Sequence, residues 1–300
     1  MTAPPAFIAL DWGTTSFRAY LADSEAQALE TLPEGEGALK LKPGEHEPYL
    51  AGRIAHWPRL PILACGMVGA KQGWREAAYV VAPAGRAEIA AAMLSIPTAL
   101  GQVRIAPGVR TLDAQGAPDV MRGEETQILG ALAAGGGDGA YVLPGTHSKW
   151  ALVETGRIVG FETFMTGEVF AVLKDHSVLG RMMASPLPSP PPHRGRESHG
   201  FARGVEAARK LDRPGDLLHA LFAARTFGLF ETLPPDQLGE YLSGLLVGAE
   251  ILAGARGAAT ATVIGSPALT ARYIDAGAFL GVTLAPAPDN CALLGLRALL

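Results

Sequence analysis

The chain has 300 residues, of which 48% are hydrophobic and 18% charged, so it is long enough for roughly two domains with sizeable cores. Its net charge of -4 and the lack of a lysine and arginine cluster exclude nucleic acid as an expected partner. No cationic leader with a long apolar stretch occurs and no window approaches the ~20 apolar residues of a membrane span, so we expect a cytoplasmic protein without membrane contact.

The first half of the chain is predicted to contain strands separated by turns, and then helices. Continuous apolar runs predict buried strands, and apolar residues at helical spacing that end at glycine predict helices. The predicted strands are 7–10, 17–21, 28–32 and 62–64, and the predicted helices are 87–94 and 123–134.

The second half alternates in the same manner around one interruption. Residues 184–200 combine proline, serine and charge with almost no apolar anchor, which predicts a mobile surface loop. The other predicted elements are a strand from 140, helices at 217–230 and 238–252, a strand at 260–264 and a helix at 267–279. One face of the helix at 238–252 is expected to carry Leu238, Leu242, Leu245, Leu246, Ala249 and Leu252.

The opening stretch "IALDWGTTSFRAYLAD" has a counterpart in "YVLPGTHSKWALVET". In both, two apolar runs flank a Gly-Thr-x-Ser turn, and Gly13 matches Gly145 at an offset of 132 residues, 145 minus 13. A fainter match relates residues 124–130 to residues 289–295. Repeats of this kind predict two related sheets instead of one.

The Gly-Thr-x-Ser turns suit phosphate binding, because each collects backbone N–H groups and hydroxyl donors within a short stretch. Glycine and threonine also fill ordinary turns, so the argument depends on the two copies, which favour two turns that clamp one phosphate chain. The predicted phosphate-binding residues are Gly13, Thr14, Thr15 and Ser16 in the first turn and Gly145, Thr146, His147 and Ser148 in the second. Arg18 and Lys149 would offset phosphate charge, although each also suits a solvated strand, and a histidine such as His147 is often structural only.

Asp11 ends the first predicted strand. A buried, unpaired carboxylate is costly, so Asp11 is expected to face either a turn amide or a metal ion. The functional interpretation is Mg²⁺ held largely through water, as Mg²⁺ prefers when it accompanies nucleotide phosphates.

Several other sites are excluded. No GxxxxGK[ST], GxSxG or HExxH segment occurs, and Gly135–Ala140 fits G-x-G-x-x-A only ahead of a strand, which is the wrong context for a dinucleotide site. Cys65 and Cys291 stand in apolar settings without a second ligand nearby. Neither a disulfide framework nor a zinc site is expected, and a reducing compartment fits.

The motifs carry a resemblance. The paired strand-turn-strand units resemble the phosphate-binding hairpins of the sugar kinase, Hsp70 and actin superfamily, and "DWGTTSFRAYLAD" is similar to the opening motif of its carbohydrate kinases. Across most of residues 7–181 the chain resembles the 2-dehydro-3-deoxygalactonokinase family, through "CGMVGAKQGWREAAYV", "APDVMRGEETQILGAL", "LPGTHSKWALVE" and "MTGEVFAVLKDHSVLGR". Residues 202–251 and "VIGSPALTARYIDAGAFLG" resemble it more loosely, and the proline-rich loop departs from the family pattern.

The resemblance implies an α/β fold of two actin-like, ribonuclease H-like domains, each a mixed sheet with flanking helices, and a ligand cleft between them. Residues 1–135 would supply the acceptor side, the first phosphate hairpin and the base. Residues 136–300 would supply the second hairpin and the adenosine site. The resemblance leaves open whether the last helix packs back on the first domain. The implied reaction is ATP-dependent and Mg²⁺-dependent phosphorylation of the 6-hydroxyl of 2-dehydro-3-deoxy-D-galactonate in galactonate catabolism.

The resemblance also implies a catalytic base. In related carbohydrate kinases a Gly-Asp-Gln segment at the start of a helix supplies it, and Gly123-Glu124-Glu125 occupies the similar place. The candidate catalytic residues are therefore Glu124, as the base, and Asp11, and Glu125 is the rival of Glu124 as the base. An acidic first turn that the helix dipole favours is the structural alternative.

The glycine-rich segment "GMVGAKQGWREAAY" is predicted to bind the sugar acid, since it offers hydrogen-bond donors for the sugar hydroxyls, an aromatic face and cations for the carboxylate. The predicted substrate-binding residues here are Met67, Lys71, Gln72, Trp74 and Arg75. Arg75 or Lys71 would meet the carboxylate. The alternative is a structural loop whose Trp74 packs into the core.

Two further segments are implied by resemblance. Thr166, Gly167 and Glu168 would face the cleft, or Thr166 would be only a helix N-cap. Gly265 and Ser266 would let the adenine or ribose approach the backbone, or they form an ordinary strand-to-helix turn.

The sequence leaves three functions open. The first is a sugar-acid kinase, with a kinase for another sugar acid or sugar as its variant; the second is a non-catalytic sugar or nucleotide sensor; the third is a nucleotide hydrolase or phosphatase. Glu124 favours a kinase, and the lack of a helix-turn-helix segment disfavours a repressor. The expected partner is a small sugar acid, and a homodimer is an assembly that the sequence leaves open.

Overall fold

The computed structural model describes residues 3–113, 115–183, 199–213 and 215–300. In that part of the chain, strands β1 to β15 are Phe7–Trp12, Ser16–Ala22, Ala28–Glu36, Ile62–Cys65, Tyr79–Val81, Ala84–Gly85, Leu94–Thr98, Gly101–Ile105, Gly108–Leu112, Pro118–Met121, Gly139–Leu143, Ser148–Glu154, Arg157–Phe164, Thr260–Val263 and Thr283–Pro286. Helices α1 to α9 are His46–Arg53, Arg86–Ala91, Glu124–Ala133, Thr166–His176, His199–Arg209, Asp216–Leu229, Pro235–Gly254, Pro267–Leu280 and Cys291–Ala298. None of the helices in these ranges has the length and hydropathy that a membrane span requires.

The predicted elements are confirmed at their centres, and some boundaries are wrong. The predicted strands correspond to β1, β2, β3, β4, β11 and β14, and the later predicted helices to α3, α6, α7 and α8. The helix predicted at 87–94 ends early, at Ala91, and Leu94 begins β7. Residues 94–98 pair antiparallel with β8, so hydrogen bonds to a neighbouring strand replace those that would continue the helix.

Two predictions in the second half concern the apolar face of α7 and the proline-rich loop. The leucines of α7 at 238, 242, 245 and 246 are buried as expected, but Leu252 is 42% exposed, so the apolar face ends earlier than predicted. Of the predicted loop at 184–200, residues 184–198 lie outside the described residues, and His199 and Gly200 begin α5.

The two large sheets repeat one strand order. The first runs β3-β2-β1-β4-β8-β7, in which β1 is antiparallel to β2 and parallel to β4, and β4 is parallel to β8. Another runs β15-β14-β11-β12-β13-β6, in which β14 is parallel to both β11 and β15. The series β3-β2-β1-β4-β8 and β13-β12-β11-β14-β15 therefore have the same neighbours. The repeated motif is matched by a repeated sheet, which confirms the predicted actin-like, ribonuclease H-like α/β fold.

The chain divides into two compact units. The first comprises the chain up to Asp138, Ala151–Phe161 and Ala287–Leu300, and the second comprises Gly139–Trp150 and Glu162–Pro286. The core of the first unit includes Trp12, Phe17 and Leu50. The second unit has one apolar cluster around Val142 and Ile251 and another along α6 and α7. The predicted division into functional domains at residue 135 stays a prediction.

Within the first unit, helices α3 and α9 cross with their backbones in contact. A Cβ on Gly130 would overlap the carbonyl oxygen of Cys291, and a Cβ on Gly295 would overlap the carbonyl oxygen of Thr126. The two contacts are related by one offset of 165 residues, since 291 minus 126 equals 295 minus 130. The faint sequence match between 124–130 and 289–295 thus contains the glycines that let the two helices approach each other.

Gly130→Ala is expected to lower the free energy of unfolding by about 2–3 kcal/mol, because the added methyl group forces α3 and α9 apart. Gly52→Ala is the matched control, since Gly52 lies in α1 and a Cβ there meets nothing within 4 Å. That control should raise the free energy of unfolding by ~0.5–1 kcal/mol through helix propensity. Denaturant titration measures both values, and equal stability of Gly130→Ala and the wild type would contradict the close crossing.

Candidate active site

The first Gly-Thr-x-Ser turn joins β1 and β2. Gly13 N–H donates to the carbonyl oxygen of Ser16 at 2.9 Å, which closes the turn, and Ala38 N–H donates to the carbonyl oxygen of Gly13 at 2.9 Å. A Cβ on Gly37 would overlap the backbone of Thr14, so the chain after β3 packs directly against the turn. Residues 14–16 remain exposed. The predicted phosphate-binding residues of this turn are therefore held in place by the chain after β3 and remain accessible to solvent.

Asp11 lies near the carboxyl end of β1, half-buried. Its register partners are Arg18 on β2 and Cys65 on β4. Burial raises the pKa of the Asp11 carboxyl, and the guanidinium of Arg18 partly opposes that shift. Because β1 and β4 are parallel, their carboxyl ends lie at the same edge of the sheet, where Asp11 and Cys65 are neighbours.

Two glycines with positive φ bring the start of α3 to the same edge. Gly66 has φ of 91°, and a Cβ there would lie 2.8 Å from the carbonyl oxygen of Trp12. Gly123 has φ of 107°, and a Cβ there would lie 3.1 Å from the Cα of Gly66. Any larger residue at either position would be strained, and at Gly66 its Cβ would also clash with backbone. The ends of β1 and β4 and the first turn of α3 therefore meet.

The structure separates the two candidate bases. Glu125 is completely buried, and its carboxylate accepts from Gly123 N–H and from the Thr126 hydroxyl, both at 2.7 Å. Burial first, and the charge of Glu124 second, raise the pKa of Glu125 to about 7. Glu124 is half-buried, and its Oε2 accepts from Arg122 N–H at 2.9 Å. The geometry favours Glu124, since a base has to reach its substrate.

The pKa of the Cys65 thiol indicates that several acidic side chains lie near it. Burial raises the pKa of its thiol well above the ordinary value, and the charges of Asp11, Glu125 and Glu124 raise it further. Three carboxyl groups thus act on one thiol at the edge of the sheet. A site of this charge favours a cation. The described residues contain no group of three or more metal-ligating side chains, and a single carboxylate such as Asp11 suits Mg²⁺, which keeps several water ligands.

The predicted substrate segment follows β4. Met67 is half-buried in a 3-10 turn at 67–69, and Lys71, Gln72 and Arg75 are exposed. Trp74 packs against the core: its ring stacks on His46, with centroids 6.1 Å apart and planes at 8°, and meets Trp12 edge-on. The geometry thus favours the structural interpretation of Trp74, and its contact with substrate stays a prediction.

Arg122 is a residue that the sequence prediction missed. It is buried, its Nη2 donates to the carbonyl oxygen of Ala77 at 2.8 Å, and its guanidinium lies 4.3 Å from the ring centroid of Tyr79. Arg122 directly precedes Gly123. Its contacts with Ala77 and Tyr79 therefore hold the far end of the substrate segment next to the start of α3. In the sequence, the signal for Arg122 is a single arginine directly before Gly-Glu-Glu. The charge pattern does not distinguish such an arginine from one on the solvated surface.

The second Gly-Thr-x-Ser turn lies between β11 and β12. Its Thr146 and His147 are exposed, and the carboxylate of Glu168 hydrogen-bonds His147 Nε2. Glu168 N–H donates to the carbonyl oxygen of Thr146 at 3.0 Å, and a Cβ on Gly167 would overlap the carbonyl oxygen of Gly145. The start of α4 therefore packs on the turn much as residues 37–38 pack on the first.

Ser148 and Lys149 point into the protein. Ser148 is completely buried, and Lys149 Nζ donates to the Thr163 hydroxyl at 2.6 Å. These contacts favour an anchoring role, and the predicted contacts of both residues with phosphate stay predictions. The alternative interpretation of Thr166 as an N-cap is wrong, because Met165 is the N-cap of α4.

Gly265 and Ser266 follow β14 and are exposed. A Cβ on Gly265 would lie 3.4 Å from Cδ of Pro144, so this segment adjoins the second turn. Ser266 is the N-cap of α8, and its hydroxyl accepts from Leu269 N–H at 3.5 Å. The strand-to-helix turn is present, and its contact with adenosine stays a prediction.

A repeated sheet of this order, with a Gly-Thr-x-Ser turn in each half and acids beside the first, defines an actin-like carbohydrate kinase. The chain belongs to the 2-keto-3-deoxy-galactonokinase family, whose family model matches residues 11–299.

The relatives agree over almost the whole chain. A probable 2-dehydro-3-deoxygalactonokinase, DgoK1, of Rhizobium meliloti (strain 1021) is 37% identical over 286 residues, covering 91% of this chain and 89% of that protein. The 2-dehydro-3-deoxygalactonokinase of Escherichia coli (strain K12) is 34% identical, covering 98% and 97%. The crystal structure of a candidate 2-dehydro-3-deoxygalactonokinase from Sinorhizobium meliloti superposes with a TM-score of 0.86 at 35% identity, covering 98% and 95%.

Glu125 makes the stability of the protein depend on pH. Its pKa is about 7 in the folded chain against an ordinary 4.5, so the folded state holds the proton more tightly than the unfolded state. The free energy of unfolding should fall by roughly 3 kcal/mol as pH rises from about 4.5 to about 7. Glu125→Gln should remove most of that fall and be more stable than the wild type at pH 8. Denaturant titrations between pH 4 and pH 8 test this, and parallel curves for both proteins would contradict it.

Proposed function

We propose that this carbohydrate kinase transfers the γ-phosphoryl group of ATP to the 6-hydroxyl of 2-dehydro-3-deoxy-D-galactonate, in the catabolism of galactonate. The names of the relatives support the acceptor. The observation that carries the proposal is the meeting of Asp11, the first turn and the start of α3 at one sheet edge. A cytoplasmic location is part of the proposal, because both substrates are small and charged.

Each turn has a proposed role toward ATP. Gly13 to Ser16 would offer amides and hydroxyls to phosphate oxygens, with Arg18 offsetting their charge. In the second unit, Gly145 to His147 would do the same, and Gly265 and Ser266 would lie against the nucleoside. The exposure of residues 14–16, 146–147 and 265–266 supports these roles.

Asp11 would hold Mg²⁺, mainly through water. When bound, Mg²⁺ supplies positive charge that neutralises the phosphate oxygens. Burial raises the pKa of the Asp11 carboxyl, and a cation beside it would favour its ionised form. Asp11 would thus be a ligand and would not take the proton of the acceptor.

Glu124 would take the proton of the attacking hydroxyl on a carboxylate oxygen. Phosphoryl transfer passes through a loose transition state, so alignment of the hydroxyl matters more than the strength of the base. The hydrogen bond from Arg122 N–H to Glu124 Oε2 and the fixed start of α3 support this role, because they would orient the carboxylate toward the hydroxyl. Glu125 would support the helix start from within the core.

The exposed cations of the substrate segment, Lys71 and Arg75, would meet the carboxylate of the sugar acid. Arginine offers two parallel donors to a carboxylate, whereas lysine acts as a point charge. Met67 and Gln72 would lie along the sugar chain. In the second unit, the acceptor contacts of Thr166, Gly167 and Glu168 stay predictions.

Glu124→Gln should reduce kcat by about 10²–10⁴-fold while the Kd for ATP stays near that of the wild type, because only the proton acceptor is lost. Glu125→Gln is the matched control, being the adjacent residue with the same substitution, and should keep most of the turnover. Steady-state kinetics at pH 8 and calorimetric ATP binding measure the two effects. The reverse ranking would move the role of base to Glu125.

ADP formation should depend on the acceptor. Purified protein with Mg-ATP should release ADP rapidly with 2-dehydro-3-deoxy-D-galactonate, more slowly with other 2-keto-3-deoxy sugar acids, and negligibly without an acceptor. A coupled assay of ADP release measures all three rates. Equal release without an acceptor would indicate a nucleotide hydrolase, and ATP binding without turnover on any sugar acid would indicate a sensor.

A further inference from the structure

Glu250 lies on α7, outside every motif treated above, and is 3% exposed. Trp150 Nε1–H donates to its Oε1 at 2.9 Å, and the Tyr273 hydroxyl donates to its Oε2 at 2.7 Å. The Thr166 hydroxyl also hydrogen-bonds to it, and the Ser148 hydroxyl lies nearby. Burial raises the pKa of Glu250, and the hydrogen bonds that its carboxylate accepts oppose that shift. A buried carboxylate surrounded by donors favours its ionised form, which accepts from all of them.

The carboxylate fixes the direction of a chain of hydrogen bonds. Burial and the charge of Glu250 hold the pKa of Tyr273 far above its ordinary range, so its hydroxyl keeps the single proton that it donates to Glu250. In the 3.2 Å contact between Ser148 Oγ and the Tyr273 hydroxyl, Ser148 is then the donor. With its proton directed inward, Ser148 Oγ accepts from Gly145 N–H at 3.3 Å.

The chain of hydrogen bonds ends at the second Gly-Thr-x-Ser turn. The comparable amide of the first turn, Gly13 N–H, donates to the backbone carbonyl of Ser16. In the second turn the acceptor is a side-chain hydroxyl, so the conformation of the turn depends on residues of α7 and α8. Thr166, the first residue of α4, is tied to the same carboxylate.

We propose that Glu250 is a positioning residue for nucleotide binding: through Tyr273 and Ser148 it holds Gly145 N–H inward, so that Thr146 and His147 are presented outward. This inference rests on the proposed phosphate role of the second turn. Glu250 itself does not contact the nucleotide, and its effect is on the geometry of the turn.

A matched pair of tyrosine variants tests the proposal. Tyr273 and Tyr241 are both 2% exposed and lie in the same unit, and the Tyr241 hydroxyl donates to the carbonyl oxygen of Ala220, away from the turn. Each Tyr→Phe change removes one buried hydroxyl, so the two should lower the melting temperature similarly. Tyr273→Phe should raise the KM for ATP roughly tenfold, Tyr241→Phe should change it by less than about twofold, and the KM for the sugar acid should move little in either.

Glu250→Gln adds a variant of the same shape. Its amide donates to the Tyr273 hydroxyl, which lets Tyr273 donate to Ser148 and turns the Ser148 proton toward Gly145 N–H. The KM for ATP should therefore rise several-fold while kcat at saturating ATP stays near the wild-type value. Equal KM values for ATP in Tyr273→Phe and Tyr241→Phe, together with a wild-type KM in Glu250→Gln, would overturn the positioning role.

Calorimetric titration with Mg²⁺ and a non-hydrolysable ATP analogue separates this inference from the proposed function. A wild-type protein that binds no nucleotide would refute the proposed function, and the inference with it. A wild-type protein that binds the analogue and phosphorylates the sugar acid, with Tyr273→Phe and Glu250→Gln binding the analogue equally well, would refute the positioning role alone. Weaker binding by those two variants and unchanged binding by Tyr241→Phe would support it.

Discussion

The organisation of the first unit depends on one steric constraint, the backbone contact at the carboxyl ends of β1 and β4. Gly66 packs against the carbonyl of Trp12, and Gly123 packs against Gly66. Each has a φ that other residues rarely adopt. This contact sets Asp11 and the start of α3 side by side. Acidic side chains gather there as a result: the charge of Glu124 adds to the raised pKa of Glu125, and the charges of Asp11, Glu125 and Glu124 add to the raised pKa of Cys65.

The two halves use the same sheet but stabilise their turns by different means. In the first half, backbone groups of Ser16 and Ala38 satisfy the turn locally. In the second, the turn depends on the Ser148 hydroxyl and, behind it, on Tyr273 and Glu250. Hydrogen bonds between side chains respond to substitution at either end, whereas a backbone pair does not. The two halves thus share one strand order but differ in the hydrogen bonds that stabilise their turns.

The sequence allowed the strands, the long helices and both turns to be predicted because each depends on neighbours in the chain. Apolar runs made β1 and β4 evident, and Gly-Thr-x-Ser with its repeat identified the turns. The sequence left Trp74 open between substrate and core, and its stacking on His46, which is 28 residues earlier, 74 minus 46, favours the core. Leu94 was assigned to a helix since its pairing with β8 is invisible to local periodicity.

By itself, the sequence determined the α/β class, the duplication, the family resemblance and the short list of acids at the start of α3. Only the tertiary structure decided that Glu125 is buried and Glu124 is not, that Ser148 and Lys149 face inward, and that Arg122 and Glu250 support the site. The physical reason is that a residue's type and spacing are local, whereas its burial and hydrogen-bond partners come from segments brought together by folding. Tyr273 and Ser148 are 125 residues apart in the chain and share a hydrogen bond.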